Sequence, residues 1–477
     1  MNLTRREYGV LVILLMIAVV MGAVYIHKRT KKDGILIGTL ITAFIIRLFY
    51  IMYTPTWERQ HDVIGFNNGK GIGQAALIEW LAENVKLPDF DPRTRWGFFQ
   101  PLLHHIISAA WLKINLVIGV NYDKACENIQ ILTLIYSMIF VFFGIRLLRE
   151  MKLTGMPFRA AAFLIAIHPS FILMSGSVNN DMLCLTLLIM SVFYDICWYN
   201  DSTYGNIVKT AFCIGGAMMA KLSGFLAAPA IAFLFLMKLI RSGKKEAFGY
   251  LKQFVLFGCI SFPIGLFFPL RNLILFGVPL MYMPEVGEPV GDHSIISRIF
   301  DVRVTSPYSS MVKNGNAFDE FNVPVAMIKT SLTGEYDFGA VNRYITPFAW
   351  ILFATGALLA VIAFLATIRY TLRTVKKMNN KGINDEEILF HDPVIRSFWL
   401  IFYATGLIFY LRLAFSVPNF SSEDFRYVAY LIVPESLYIG LLLTDIEKRK
   451  KMTALLIMII TAFGVSSLGV YFLLGLP

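Results

Sequence analysis

Residues 102–119 read LLHHIISAAWLKINLVIG, and whether this run crosses a membrane decides the topology of the whole chain. It is apolar enough to span. It also carries His104, His105, Lys113 and Asn115, polar groups that a lipid-facing helix would bury at a cost in kcal/mol for each. Counting it as a span inverts every later loop and divides five basic runs between the two sides. Those runs are HKRTKK (27–32), RLLREMK (146–152), RSGKK (241–245), RYTLRTVKK (369–377) and EKRKK (447–451). Leaving it out places all five on one side, as cytoplasmic loops require. The run therefore reads as an amphipathic helix lying in the interface.

Composition supports that setting. The chain has 57% hydrophobic and 16% charged residues and a mean hydropathy of +0.63, against roughly 25% charged in a soluble domain. A hydrocarbon core ~30 Å thick takes about 20 apolar residues per helix. Runs of that kind fall near 8–26, 35–53, 128–148, 158–175, 180–198, 206–220, 222–240, 251–270, 346–368, 396–415, 425–443 and 452–474. The first is long for a signal-peptide core and lacks a small-residue cleavage site, so it reads as a retained span. The net charge of +11 resides in the short basic turns and speaks for orientation, not for nucleic acid. Five cysteines without CxxC or Cys/His spacing indicate neither a disulfide framework nor a zinc site. No internal repeat is evident, which counts against transporters built from duplicated halves.

The expected fold is an all-α polytopic membrane protein. The first span and its basic turn (1–34) precede a transmembrane core (35–270) that carries the external loop 54–127. A second external loop (271–345) follows, then C-terminal transmembrane helices (346–477). The other outward segments are the turn SGSVNND (175–181), Ala220–Lys221 and FSVPNFSSEDFRY (415–427). Nearly all polar mass lies on that face.

The candidate chemistry lies there too. His61–Asp62 stands shortly after the second span. Its carboxylate is either a solvated loop acid or a group able to deprotonate an acceptor hydroxyl or bind a metal. Arg59, Lys70, Arg93 and Arg95 surround it in a loop dense in groups suited to phosphate. Pro101 stands where a helix begins, which puts His104 and His105 on its first turns as interfacial histidines or as ligands. Asn179, Asn180 and Asp181 are turn formers or a second acidic site facing Asp62. Lys221 either snorkels or binds a lipid phosphate, and Arg271, Arg412 and Arg426 mark the outer ends of other spans. Arg426 has Asp424 and Glu423 as alternative partners.

In order and spacing these segments resemble membrane glycosyltransferases of the GT-C fold, in the family of protein O-mannosyltransferases and bacterial aminoarabinose transferases. The resemblance covers roughly 35–440 and rests on Gln60-His61-Asp62, LPD (87–89), Phe98-Phe99-Gln100-Pro101-Leu102, Gly119 after the amphipathic helix, and His168-Pro169 before SGSVNND. Lys221, the Pro-x-Arg-Asn-x-x-x-Phe-Gly-x-Pro stretch (269–279) and Arg426-Tyr427 complete it. It implies a bundle of about 12 transmembrane helices, capped externally by the first long loop and by 271–345. It also implies transfer of a sugar from a polyprenyl-phosphate donor to a glycan, lipid or protein acceptor on the external face; the lack of eukaryotic retention signals points to a bacterial plasma membrane.

Carried over by position, Asp62, Asp181 and His61 are the expected catalytic groups, with Asp62 as general base or acceptor-orienting acid. Arg59, His104, His105, Asn180, Lys221, Arg271 and Arg426 are the expected substrate-binding groups. A divalent cation (Mg or Mn) would use Asp62 and His104. The chain departs from the family in having His-Asp where the mannosyltransferases have Asp-Glu, which puts a metal role in doubt, and in a leucine at position 102 where a second proline is common. The first span stands outside the family pattern. Two other readings are a lipid or polysaccharide exporter, which needs polar groups at mid-membrane, and an inactive scaffold.

Overall fold

The computed structural model describes residues 5–30, 33–284, 294–309, 321–379, 392–417 and 420–476. Among them the chain is helical and has no strand. Helix α1 (Arg5–Thr30) packs on α2 (Gly34–Tyr53), whose first turn is capped by Asp33 accepting from the Leu36 N–H at 3.2 Å. The outer loop that follows contains α3 (Gly73–Asn84), α4 (Leu103–Val117) and α5 (Tyr122–Glu127). Helix α6 (Gln130–Glu150) re-enters the bundle, followed by α7 (Gly155–Ile167) and α8 (Pro169–Gly176). Pro169 holds His168 in extended backbone and ends α7 there, so the expected single run 158–175 is two helices in line.

Helices α9 (Asp181–Asn200), α10 (Tyr204–Ala220) and α12 (Lys244–Phe276) pack against one another, with α11 (Ala228–Arg241) between the last two in sequence. Two short helices follow, α13 (Ile295–Phe300) and α14 (Val323–Thr333). The bundle closes with α15 (Thr346–Asn379), α16 (Pro393–Ser416), α17 (Ile432–Ile446) and α18 (Lys450–Leu473).

Among the described residues, ten helical stretches are long and apolar enough to cross a membrane. The remaining two of the twelve expected runs are also helical, but α10 has only 17 residues, about 25 Å at 1.5 Å per residue. The chain is a multi-pass helical membrane protein. Its basic turns meet at one end of the bundle, where Arg369 and Arg373 pair with Asp445 and Arg241 with Asp392.

Helix α4 is too short to span and inverts the pattern of a soluble helix. Its buried face carries His104, His105, Ser108 and Asn115, while Ile106, Ile114 and Val117 are exposed. An apolar outer face is what a helix lying in the interface would present. Together with α3 and α5, α4 encloses a separate small core, Leu77, Ile78, Phe98 and Leu112, which docks on Phe268 of α12.

The second outer loop starts later than residue 271. Helix α12 runs through Pro263 and Pro269 and ends at Gly277, whose φ of 66° supplies the left-handed stop. Proline is tolerated inside a membrane helix because neighbouring groups satisfy the freed carbonyl. Most of the clusters MPEVGEPVGDHS and NGNAFDEFNVP, expected to form a cap, lies outside the described residues.

Candidate active site

Three segments converge at the end of the bundle opposite the basic turns. The first is the strained stretch after α2. Arg59, Asp62, Ile64 and Asn67 all have positive φ, 52°, 60°, 63° and 51°, a conformation that costs a non-glycine residue of order 1–3 kcal/mol. The coil persists because it is tied on both sides. The Gln74 and Ala75 N–H groups at the start of α3 donate to the Asp62 and Val63 carbonyls, each at 3.2 Å. Gln60 donates to the Gly176 carbonyl and accepts from the Val178 N–H, both at 2.8 Å. The first loop is thereby fastened to the turn that precedes Asp181.

That turn supplies the second acid. Asp181 opens α9, buried, with Oδ2 accepting from Asn179 at 3.0 Å. Asn180 is fully buried and donates to the Gln100 side chain (3.2 Å) and the Ala220 carbonyl (2.8 Å). Its amide stitches the turn to α10 and the first loop. Lys221, in extended backbone at the end of α10, pairs with Asp181 and lies 4.7 Å from the centre of the Tyr427 ring.

The third segment is the 3-10 turn Phe425–Leu431. The Asp424 side chain caps it, accepting from the Arg426 N–H at 2.9 Å. The Arg426 guanidinium is the hub of the cluster. It lies 2.9 Å from Asp62 Oδ2, 3.4 Å from Asp181 Oδ2 and 3.1 Å from Asp424 Oδ2.

Behind this hub His61 Nδ1 lies 3.5 Å from Asp424 Oδ2 and 3.7 Å from Glu335 Oε2. Burial and Arg426 oppose a charge on His61, but Glu335 and Asp424 outweigh them and raise its pKa. Burial pushes Asp424 up, whereas His61 and Arg426 hold Glu335 down against its own burial.

Beside the cluster opens a cavity of about 310 Å³, within the range of small-molecule sites. Asp62, Lys221 and Tyr427 form its polar wall; Phe225, Phe409 and Leu413 form an apolar wall on the bundle side. A carboxylate and an ammonium thus face a space with a hydrophobic flank.

The other expected site residues lie elsewhere. Arg59 pairs with Glu58 and donates to Thr54 Oγ1 at 3.0 Å. Arg271, inside α12, donates to the Pro88 carbonyl at 2.6 Å and does not line the cavity, although its neighbour Asn272 does. His104 and His105 are fully buried. Burial lowers their pKa values to about 3 and about 4 and keeps both neutral. His105 Nε2 lies 3.2 Å from Gln74 Oε1, which also accepts from the Asn180 N–H, so this histidine braces the Asp181 turn. The metal expectation paired Asp62 with His104. The ligand-capable atoms that converge within 4.8 Å belong instead to His61, Glu335 and Asp424. Glu335 gives no sign in sequence, being one acid in a short link between two helices.

No protein-family model matches the sequence, and no curated protein does. Among solved structures, the apo oligosaccharyltransferase of Archaeoglobus fulgidus superposes with a TM-score of 0.52 at 13% identity, over 94% of this chain and 56% of that one. The archaeal oligosaccharyltransferase AglB from the same organism, in complex with an inhibitory peptide and a dolichol-phosphate, gives 0.43 at 15% identity over 94% and 56%. ArnT from Cupriavidus metallidurans in the apo state gives 0.38 at 11% over 84% and 76%. The chain spans little more than half the length of the oligosaccharyltransferase, and with it shares the helical GT-C fold.

Proposed function

We propose that the chain is an integral membrane glycosyltransferase that moves a sugar from a polyprenyl-phosphate-linked donor to an acceptor on the external face. The observation that carries this reading is the cavity in which Asp62 and Lys221 face one space flanked by the apolar side chains of Phe225, Phe409 and Leu413. A donor with a charged head on a hydrocarbon tail needs both kinds of wall. The shared fold supports the same class, since the neighbour of that fold is an oligosaccharyltransferase.

In the proposed step the acceptor oxygen attacks the anomeric carbon while the bond from that carbon to the phosphate oxygen breaks. The acceptor proton passes to the Asp62 carboxylate, and the charge left on the phosphate is met by Lys221. Arg426 fixes the Asp62 carboxylate and screens it from Asp181 while substrates assemble. The basic turns at the opposite end support placing the step on the external face. A divalent ion near the cluster would be held by His61, Glu335 and Asp424 and would add positive charge beside Arg426.

The test uses membranes carrying wild-type protein or Asp62→Asn, with mass spectrometry of polyprenyl-phosphate sugars and free polyprenyl phosphate over time. Donor consumed by wild type and accumulating with the variant is the expected result. Identical profiles would overturn the reading and move the weight to an exporter, for which the acids inside spans, buried Asp195 and half-buried Glu435, would be the groups to examine.

A further inference from the structure

We propose that His61, Glu335 and Asp424 are the three protein ligands of a zinc-class divalent ion. This site stands apart from the sugar-transfer reading and holds whichever reaction the neighbouring cavity performs.

Spacing is the first argument. His61 Nδ1 lies 3.5 Å from Asp424 Oδ2 and 3.7 Å from Glu335 Oε2. Ligands about 2.0–2.1 Å from a tetrahedral zinc stand about 3.3–3.4 Å apart along the tetrahedron's edge. The edge of a magnesium octahedron is nearer 3.0 Å. The two edges that meet at His61 need only a few tenths of an ångström of closure for zinc and more for magnesium, and all three atoms lie within 4.8 Å of one another. Imidazole with carboxylates is also a donor set that zinc takes.

The second argument is what the atoms lack. His61 and Asp424 side chains are 4% and 2% exposed, yet His61 Nδ1 has no hydrogen-bond partner among the described residues, and Asp424 Oδ2 faces it with only the Arg426 Nε beside it at 3.1 Å. Buried polar atoms are nearly always satisfied, and an orphan points to an absent ion or water. Asp424 divides its work suitably, with Oδ1 engaged by the Arg426 N–H and Oδ2 facing the cluster. Glu335, 17% exposed, lies on the solvent side, where a fourth ligand can enter.

Charge is the third. Asp62, Asp181, Glu335 and Asp424 bring four negative charges to the cluster, whereas Arg426 and Lys221 bring two positive ones, leaving a deficit of two. One divalent ion beside a neutral His61 closes it. The ion would also join three outer segments: the strained loop before α3, the link after α14 and the turn before α17. A proton on His61 is the rival occupant, because an imidazolium between two carboxylates uses the same atoms.

The experiment is zinc titration of the full chain, purified in detergent and stripped with a chelator. A competing chromophoric chelator reads affinity and elemental analysis reads stoichiometry. The expected result is one zinc per chain with a raised unfolding temperature. Affinity should fall at least about 10–100-fold in Glu335→Gln and in His61→Asn, the loss typical even of second-shell changes. Glu335→Gln, on the partly exposed ligand, keeps the test meaningful if the His61 variant fails to fold. Wild type holding no zinc, binding only magnesium, or losing none of its zinc in either variant would overturn the site.

Discussion

Arg426 Nη2 lies 2.9 Å from Asp62 Oδ2, a bond between residues 364 positions apart. It joins the first outer loop to the last outer turn across the top of the bundle. The same guanidinium reaches Asp181 and Asp424, so one buried cation holds three carboxylates at separate points of its planar fork. Removing one partner of a buried ion pair leaves uncompensated charge, at roughly 3–5 kcal/mol. Arg426→Gln should therefore lower stability by about that amount, and Arg426→Lys by less, since an ammonium keeps the charge but not the fork. Thermal unfolding in detergent reads the order, and a Gln variant as stable as wild type would dissolve the hub.

The loop that presents Asp62 depends on two glycines in contact. Gly97 has a φ of 93°, and a Cβ there would come 2.7 Å from the Gly73 carbonyl carbon; a Cβ on Gly73 would meet the Val63 carbonyl oxygen at 2.5 Å. Gly97→Ala combines a disfavoured backbone with a backbone collision, so the loop must shift. We expect a loss of about 1–3 kcal/mol together with loss of transfer, although residue 97 bears no functional group. Limited proteolysis of the 54–127 segment would show the loosening. Wild-type cleavage rates would mean that the loop accommodates the methyl group.

Much of this arrangement was legible because charge stands out against an apolar chain. Asp62, Asp181, Lys221 and Arg426 are polar groups at the ends of hydrophobic runs, and the structure brings all four together. The histidines of α4 marked a helix unsuited to span, which is how it folds. Other features left no trace. Gln60 fastens the first loop to the Asp181 turn through neutral amide bonds, and amides carry no charge pattern to read. Glu335 meets His61 only through tertiary docking. Arg271 follows the apolar run 251–270 and so marks a span end in sequence, yet α12 continues to Phe276, because a membrane helix absorbs a proline that a water-exposed one would not.

Lys221 lines the cavity with a single acid, Asp181, as its partner, whereas Arg426 is shared among three. Replacing Lys221 by Met keeps the length of the side chain and removes the charge. If the donor phosphate binds there, Lys221→Met should raise the donor KM by about tenfold or more, the scale of one charge-assisted hydrogen bond at 1.5–3 kcal/mol. Its kcat should fall as well, since the phosphate gains charge in the transition state. Steady-state kinetics with varied lipid donor separates the two. An unchanged KM would reduce Lys221 to a partner of Asp181.

His104 and His105 give the structure a defined acid sensitivity. Burial lowers their pKa values to about 3 and about 4, against roughly 6.5 in an unfolded chain. Between those limits the unfolded state binds protons that the folded state refuses, so stability must fall as pH drops below about 6.5. From pH 6.5 to 5 each histidine forfeits about 1.6 kcal/mol, the slope rising toward 1.36 kcal/mol per pH unit as the unfolded imidazole fills. Above about pH 8 neither contributes any slope. The buried neutral side chains of His104→Gln and His105→Gln cannot take up that proton, so the double variant should lose less stability on acidification, even if it starts lower at pH 7. Unfolding temperatures at pH 7 and pH 5 measure the difference. Parallel losses in both proteins would show that these histidines charge in place, and that Gln74 and the Asp181 turn beside His105 tolerate an imidazolium.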